Sequence, residues 1–524
     1  MTAVTDAPPP AMTHREVLRA LSGLLMVLFA AMVSSTVVSV ALPQIVGSLD
    51  GTQSQYTWVV TATLLASTAS TPVWGKLADL FDKKRLLQVA IVIFAAASLA
   101  CGLVQNTEQL IALRAVQGLG MGALQVLVQV IIGAMVSPKE RGRYSGYLGG
   151  VMALSTVGGP LLGGTITDTD WLGWEWCFFL AVPICVIAFA MLSRTLHLVE
   201  KKKPDTKVDY LGATLIAAGV SLLLLWVTFV GNDFDWISWQ TAAMVAGSVV
   251  LLGAAVVVET KVREPVVPMH LLQRRDTSLA VVGSLAVGMA MFGGAVFLGQ
   301  YFQISRGFSP TEAGLLTIPM MFGVMIASAV AGRMVSRSGR VKPYILTGTL
   351  VLTGGFAMLS TIDHTTSLVF MGVGMFLVGT GVGMSMQNLV LVVQNSVPLR
   401  ELGAASGAIT FFRSLGGTIG VSVLGAVLAN QVADKIKDGL AALGIDAAAS
   451  GGSSSSLDFD AMPAPIAEIV RAAYGDATGH LFLISTCIAA AGFIAVLFLS
   501  PVKLRETVDL AEAPKGEEPA LVGQ

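Results

Sequence analysis

Two arginines stand out because of where they fall. Arg114 and Arg413 each sit inside a long apolar run, where a guanidinium costs about 2.5 to 3.5 kcal/mol on an insertion scale. Each must therefore face protein or water. Bound to carbonyls and neighbouring polar groups they are structural; lining an aqueous cavity, they set a positive potential suited to anionic or zwitterionic amphiphiles. Arg114, Gly118, Met121, Gln125 and Gln129 all fall within about 60° of Arg114 on a helix and form one stripe. Further along, Gln387 and Gln394 share a helical face, with Asn388 and Asn395 on the adjacent one. Such amides hydrogen-bond varied ligands without demanding a charge, or they bond one another between helices for about 1 kcal/mol each. Met121, Met384 and Met386 flank the stripes with adaptable apolar surface. Trp58 and Phe292 are candidate aromatic walls, and Trp58 is also placed to anchor a helix at an interface.

The acids say something different. Of 33 Asp and Glu, none falls in the middle of an apolar run, yet a proton relay needs a titratable group on its path. The carboxylates near the ends of runs, Asp79, Asp168, Glu175, Glu312 and Asp476, are then the candidates for coupling to a proton gradient. Cys101, Cys177, Cys185 and Cys487 lie in apolar stretches without Cys-x-x-Cys spacing, so they are expected to be core residues and no metal or cofactor is expected. No Gly-x-x-x-x-Gly-Lys-Ser/Thr appears, which excludes that route to nucleotide hydrolysis. A polytopic membrane enzyme, the most distant class weighed, needs paired carboxylates or a metal cluster at a membrane face, and the sequence shows neither.

These residues must be positioned by helices in a bilayer. With 524 residues, 54% apolar and 12% charged, the chain has too little polar surface to coat a water-soluble globule. A net charge of -1 predicts no nucleic-acid partner. Runs long enough to span centre near Ala31, Ala66, Phe94, Gly120, Ser155, Val186, Gly219, Ser248, Met289, Val324, Val351, Gly379, Thr410 and Ala490. That predicts an all-α membrane protein of 14 transmembrane helices with both termini cytoplasmic. Of 32 Lys and Arg, only Arg306, Lys435, Lys437 and Arg471 fall in the expected outer segments, and basic loops stay inside.

The chain also repeats itself. GKLADLFDKKR (Gly75 to Arg85) and GRMVSRSGRVK (Gly332 to Lys342) each follow the second run of a group of six, the sign of a duplicated bundle. The expected organisation is an inner tail over 1–19, a six-helix bundle over 20–195, a two-helix insertion over 196–277, a second six-helix bundle over 278–500 and an acidic tail over 501–524. The loop before the seventh run carries Lys201, Lys202 and Lys203, a solvated inner charge run. An outer segment over 431–476 contains GGSSSS; Val432, Ile436, Leu440 and Leu443 before it, and Ile466, Ile469, Val470 and Ala473 after it, predict two short amphipathic surface helices. They either pack structurally or form a lid.

The stretch Gly75 to Arg85 resembles the signature of the major facilitator superfamily between spans two and three. LRAVQGLGMGA (Leu113 to Ala123) is similar to the superfamily's Arg-x-x-Gln-Gly motif, and Gly146, Ser155, Gly159, Pro160, Gly163 and Gly164 resemble the exporters' glycine-proline motif. TVVSVALP (Thr36 to Pro43) and FFRSLGGTIGV (Phe411 to Val421) resemble the fourteen-helix drug:proton antiporter family, so the resemblance covers nearly the whole chain. It implies a major facilitator fold in a 6 + 2 + 6 arrangement. It also implies gating by Gly75, Asp79 and Arg85, with Asp79 meeting the positive N-terminus of a helix from the other half, and by Gly159 and Pro160 closing the bundle from one side. Ser34 and Phe411 join the expected cavity residues.

The departures matter too. Ser34 stands where relatives often carry the span-one aspartate, Ser39 where asparagine is common, and Glu175 and Ala181 where Arg and Asn are usual. What the resemblance implies is a monomeric secondary exporter of amphipathic small molecules, coupled to a proton gradient through carboxylates near the mouths. An exporter or flippase of lipids or anionic amphiphiles is the alternative. Richness in Ala, Gly and Val points to a bacterial cytoplasmic membrane.

Overall fold

The computed structural model of the chain describes residues 14–167, 169, 172–196, 198, 209–231, 234–262, 264–442, 464–501 and 503–507. Fourteen long helices follow one another among them: α1 (His14–Ser48), α2 (Gln53–Leu80), α3 (Lys83–Cys101), α4 (Thr107–Met135), α5 (Pro138–Thr167), α6 (Ala181–Thr195), α7 (Tyr210–Phe229), α8 (Trp239–Lys261), α9 (Arg275–Gln300), α10 (Ile318–Ser338), α11 (Lys342–Leu359), α12 (Leu368–Asn395), α13 (Leu402–Ala442) and α14 (Ala464–Leu497). Each apolar run found in the sequence centres on its own helix. Caps set the entrances locally: Thr52, Asp82 and Asn106 accept hydrogen bonds from the free backbone N–H groups that open α2, α3 and α4.

Twelve of the helices are long and apolar enough to cross a membrane; α2 and α11 fall outside that set. For α2 the physical reason is visible. Its hydroxyls Thr61, Thr63, Ser67, Thr68 and Thr71 are buried in protein rather than turned to lipid, and Thr63 donates to the Arg114 carbonyl at 3.2 Å.

Packing divides the helices into two bundles. In the first, α4 packs on α2 and α3, and α1 on α5 and α6; in the second, α12 packs on α10 and α11, and α9 on α13 and α14. The bundles meet through α2 on α13 and α10 on α5, while α7 and α8 pair with each other and α7 docks against both α2 and α13. The duplication shows at close range. Gly118 and Gly122 of α4 press on the carbonyls of Thr63 and Ser67 in α2, and Gly379 and Gly383 of α12 press on those of Met320 and Val324 in α10. With no water-driven association between helices in lipid, such backbone contact is what holds each pair.

One expectation changes. The apolar faces on either side of the outer segment are not separate surface helices: α13 continues unbroken to Ala442 over 41 residues and α14 begins at Ala464. Gly439 abuts Ile469, so these extensions pack on each other as an antiparallel pair. Leu443, the GGSSSS stretch and Lys201 to Lys203 lie outside the described residues. The chain end, expected as a loose acidic tail, is tied in at its start: Arg505 N donates to Asn395 Oδ1 at 2.9 Å and Lys139 Nζ to Glu506 at 2.7 Å.

Candidate functional site

Because α13 starts at Leu402, the N–H groups of Gly403 and Ala404 have no acceptor within their own helix. Asp79, in the last turn of α2, takes both: Oδ1 accepts from Gly403 N at 2.6 Å and Oδ2 from Ala404 N at 2.7 Å. The carboxylate thus meets the positive end of a helix from the other bundle. Gly75 makes the approach possible, since a Cβ there would stand 2.6 Å from the Gly403 carbonyl and 2.9 Å from Gly407 Cα. Further bonds join the halves alongside: Arg141 Nη1 to Gln394 Oε1 at 2.6 Å, Ser145 Oγ to the Ser328 carbonyl at 3.0 Å and Thr410 Oγ1 to Gln129 Oε1 at 3.4 Å. These contacts all lie in the half of the molecule nearer the Lys- and Arg-rich loops.

Within this zone α4, α5 and α12 line a narrow crevice whose polar side chains are Gln129, Arg141, Ser145, Gln387 and Gln394. Arg141 is 5% exposed. Its Nε donates to the Val136 carbonyl at 2.8 Å and its Nη2 to that of Gly133, so it closes the C-terminal end of α4. Gln394 passes the link on through Nε2 to Ser406 Oγ at 2.8 Å. The crevice therefore sets one guanidinium and three amides among apolar side chains and is shared between halves.

The two arginines of the apolar runs behave differently. Arg114 joins a network inside the first bundle: Nη1 donates to Gln117 Oε1 at 2.5 Å, and Gln117 Nε2 donates to Ser98 Oγ at 2.8 Å and Ser34 Oγ at 3.2 Å. Ser34 is thus tied to the arginine through Gln117. Arg413, 4% exposed, makes no hydrogen bond among the described residues, and its Nη1 is buried without a partner.

Comparison with known proteins closes the argument. A family model described as the Major Facilitator Superfamily matches residues 24–421. The chain belongs to the major facilitator superfamily. The transporter is 34% identical over 508 residues to the multidrug transporter protein MdtP of Bacillus subtilis, covering 92% of this chain and 93% of that one. It is 31% identical over 500 residues to the efflux pump dotC of Dothistroma septosporum, covering 94% and 85%. In fold it matches the proton:xylose symporter XylE with a TM-score of 0.61 at 14% identity, over 94% of this chain and 98% of that one. This family membership makes the chain a multi-pass cell-membrane transporter and not an enzyme.

Against that frame the expected site residues separate. Gln129 and Gln387 line the crevice; Gln125 is half-buried on the same stripe, and Met121 packs on the core of the first bundle. Asn388 is buried, with Nδ2 donating to the Met384 carbonyl at 2.6 Å and Oδ1 left without a partner. Met384 turns toward α11, where its side chain meets Gly348. Trp58 lies with its ring centre 5.0 Å from that of Phe229 of α7, the planes tilted by 38°, and Phe411 lies in the apolar cluster that α7 shares with α13. Both aromatic rings thus pack against the inserted pair. Phe292, 36% exposed, rests on Gly417 of α13.

The gating and coupling candidates separate likewise. Arg85 is exposed and only its backbone N–H is engaged, by Asp82 at 2.7 Å; Lys84 is the residue that reaches across, to the Ser193 carbonyl at 2.7 Å. Gly159 abuts Thr36 of α1, and α5 runs through Pro160 as one helix. Glu312 closes a capping box with Ser309, Asp476 pairs with Lys435 at 3.3 Å, Glu175 precedes the short helix Trp176–Phe179, and Asp168 lies outside the described residues. Sequence reasoning missed Arg141 and Lys76 because both sit at helix ends, where a loop charge is normally solvated. Proline at the start of α5 and the glycine four residues before Asp79 were the available signals.

Proposed function

We propose that this transporter exports apolar or amphipathic small molecules by alternating access, with fourteen spans, both termini cytoplasmic, and movement driven by a proton gradient. The observation that carries this reading is the Asp79 carboxylate seated on the N-terminus of α13. It closes the basic-loop face, which the Lys and Arg distribution makes cytoplasmic. The conformation is then the one that releases substrate outward, and breaking the latch lets the halves rock about the crevice. The names of the relatives, a multidrug transporter and an efflux pump, support export of varied compounds. Proteoliposomes carrying the full chain, given a pH gradient and a lipophilic fluorescent cation, test it: uphill dye movement is expected, and movement indifferent to the gradient rejects proton coupling.

A second reading rests on Arg413. A buried cation without a hydrogen bond is a standing cost that an anionic group offsets, so anionic amphiphiles, including lipids, are candidate cargo. An anionic dye that competes with the cation and loses that competition in Arg413→Gln supports this reading; competition unchanged by the substitution rejects it.

A further inference from the structure

The inserted pair carries a charge cluster of its own, on the basic-loop face beside the latch. Asp209 caps α7, its Oδ1 accepting from Gly212 N at 2.9 Å. Glu259 lies in the last turn of α8, its Oε2 accepting from Val267 N at 3.0 Å. Asp209 is 7% and Glu259 3% exposed, and each keeps one oxygen, Oδ2 and Oε1, buried without a partner. Gly212 lets these two oxygens meet. The point where its Cβ would stand is 2.6 Å from Glu259 Oε1 and nearer still to Asp209 Oδ2, so the oxygens lie within about 5 Å of each other, a distance at which like charges oppose joint ionisation.

Among the described residues, few charges surround the pair. From α2 comes Lys76, 6% exposed, with Nζ 2.7 Å from Oε2 of Glu264 in the segment after α8. Lys76 lies in the electrostatic field of both Glu259 and Asp79. Across α7, helix α13 offers Phe411, Phe412 and Leu415, which bring no charge. Since α7 packs on both α2 and α13, the latch cannot open without α7 shifting against at least one of them.

We propose that Asp209 and Glu259 form a proton-binding site that biases the latch: one proton is held between them, the carboxyl of one donating to the free oxygen of the other, and its gain or loss changes the grip of the inserted pair on α2 through Lys76. The protonated pair carries one negative charge instead of two, holds Lys76 less, and favours opening. By linkage, opening favours proton uptake. The pair lies at the basic-loop ends of α7 and α8, so the pH of that side is the one it senses. It goes beyond the transmembrane coupling proposed above, and either can fail alone.

The test uses the full chain in nanodiscs, spin labels on the basic-loop ends of α2 and α13, and protons as the only ligand. The open fraction of the unmodified protein is expected to rise on acidification, approaching about tenfold per pH unit where one proton is linked. Asp209→Asn with Glu259→Gln should abolish that slope, and Asp79→Asn should move the open fraction while keeping it. A slope that survives the double substitution, or one lost only in Asp79→Asn, overturns the proposal. Should the double variant fail to fold, Lys76→Gln keeps both carboxylates but removes the residue through which they act, so the slope should flatten; a slope unchanged in Lys76→Gln overturns the site equally. Gradient-driven dye movement, measured in parallel, reports on transmembrane coupling alone.

Discussion

The two halves touch through the same device used twice, and the copies are not equal. Where α2 meets α13, Gly75 lies on Gly403; where α10 meets α5, Gly332 lies on Gly142. Both contacts bring backbone onto backbone, and both glycines open one of the duplicated motifs. Only the first carries a carboxylate. The position that corresponds to Asp79 is Ser336, half-exposed. The helix starts explain the asymmetry: α13 begins at Leu402, directly under Asp79, whereas α5 begins at Pro138, a full turn before Gly142. Amides near Gly142 are already spent inside α5, so an acid there has nothing to bind. The glycines make two sliding surfaces, and one helix start makes a single charged lock.

The largest expected effect tests what the contacts share. Gly75→Leu and Gly332→Leu each force a side chain into backbone that cannot yield, and overpacking of this kind costs about 1–3 kcal/mol or more. Dye export in proteoliposomes should fall by more than about tenfold in both variants. A normal rate in either would show that its glycine contact is not part of the closed state.

Next comes what they do not share. Asp79→Asn keeps the shape but removes a charge from two charge-assisted bonds and turns an NH₂ toward a backbone donor. At about 1.5–3 kcal/mol for a hydrogen bond to a charged group, the open fraction measured by spin-label distances should rise by about thirtyfold. Ser336→Ala should change it by less than about twofold, as ordinary surface substitutions do. Equal responses at the two positions would remove the distinction between lock and slide.

Much of this lock was legible in the residues. GKLADLFDKKR placed an acid at a helix end, and the repeat at Gly332 told which second contact to compare. The helices of the fold were legible as well, because hydrophobic runs of spanning length leave little choice of structure. Tertiary partners were not. Trp58 read as a candidate wall and Phe411 as a cavity residue, and nothing local reveals that α7 packs on both. Nothing in the sequence singles out Asp209 and Glu259, because a hydropathy pattern reports how often a residue type is solvated, not whether Gly212 lets one carboxylate lie against another. The long reach of α13 was hidden by polar residues such as Asp434 and Lys435, which break an apolar run without breaking a helix.

A smaller effect sharpens the comparison from the other side. If a free helix start is what α5 lacks, Ser336→Asp should create no second lock. The carboxylate would lie beside α5 with no free amide to accept from, and thermal stability should stay level or fall by up to about 1–3 kcal/mol, the cost of an unmet polar group. A clear rise in stability, with slower export, would mean that charge alone and not the helix start decides where a lock forms.

The smallest effect belongs to the chain end, which also bridges the halves on this face. Lys139 holds the Glu506 carboxyl below the ordinary glutamate range through its hydrogen bond and its charge. A carboxyl depressed in the folded state contributes at pH above its unfolded value, and that contribution is lost as pH falls through the depressed value. Both side chains face solvent, so salt screens them, while the backbone bonds from Lys139 N to Arg505 O and from Arg505 N to Asn395 Oδ1 remain in any side-chain variant. Glu506→Gln should therefore move the open fraction by less than about twofold at neutral pH, and that difference should vanish in high salt and in acid. The Asp79→Asn difference should persist in high salt, because its partners are backbone amides within the packed contact. Were the chain-end substitution to rival that of Asp79, the exposed strap and not the buried carboxylate would hold this face, and the contrast between the two glycine contacts would lose its meaning.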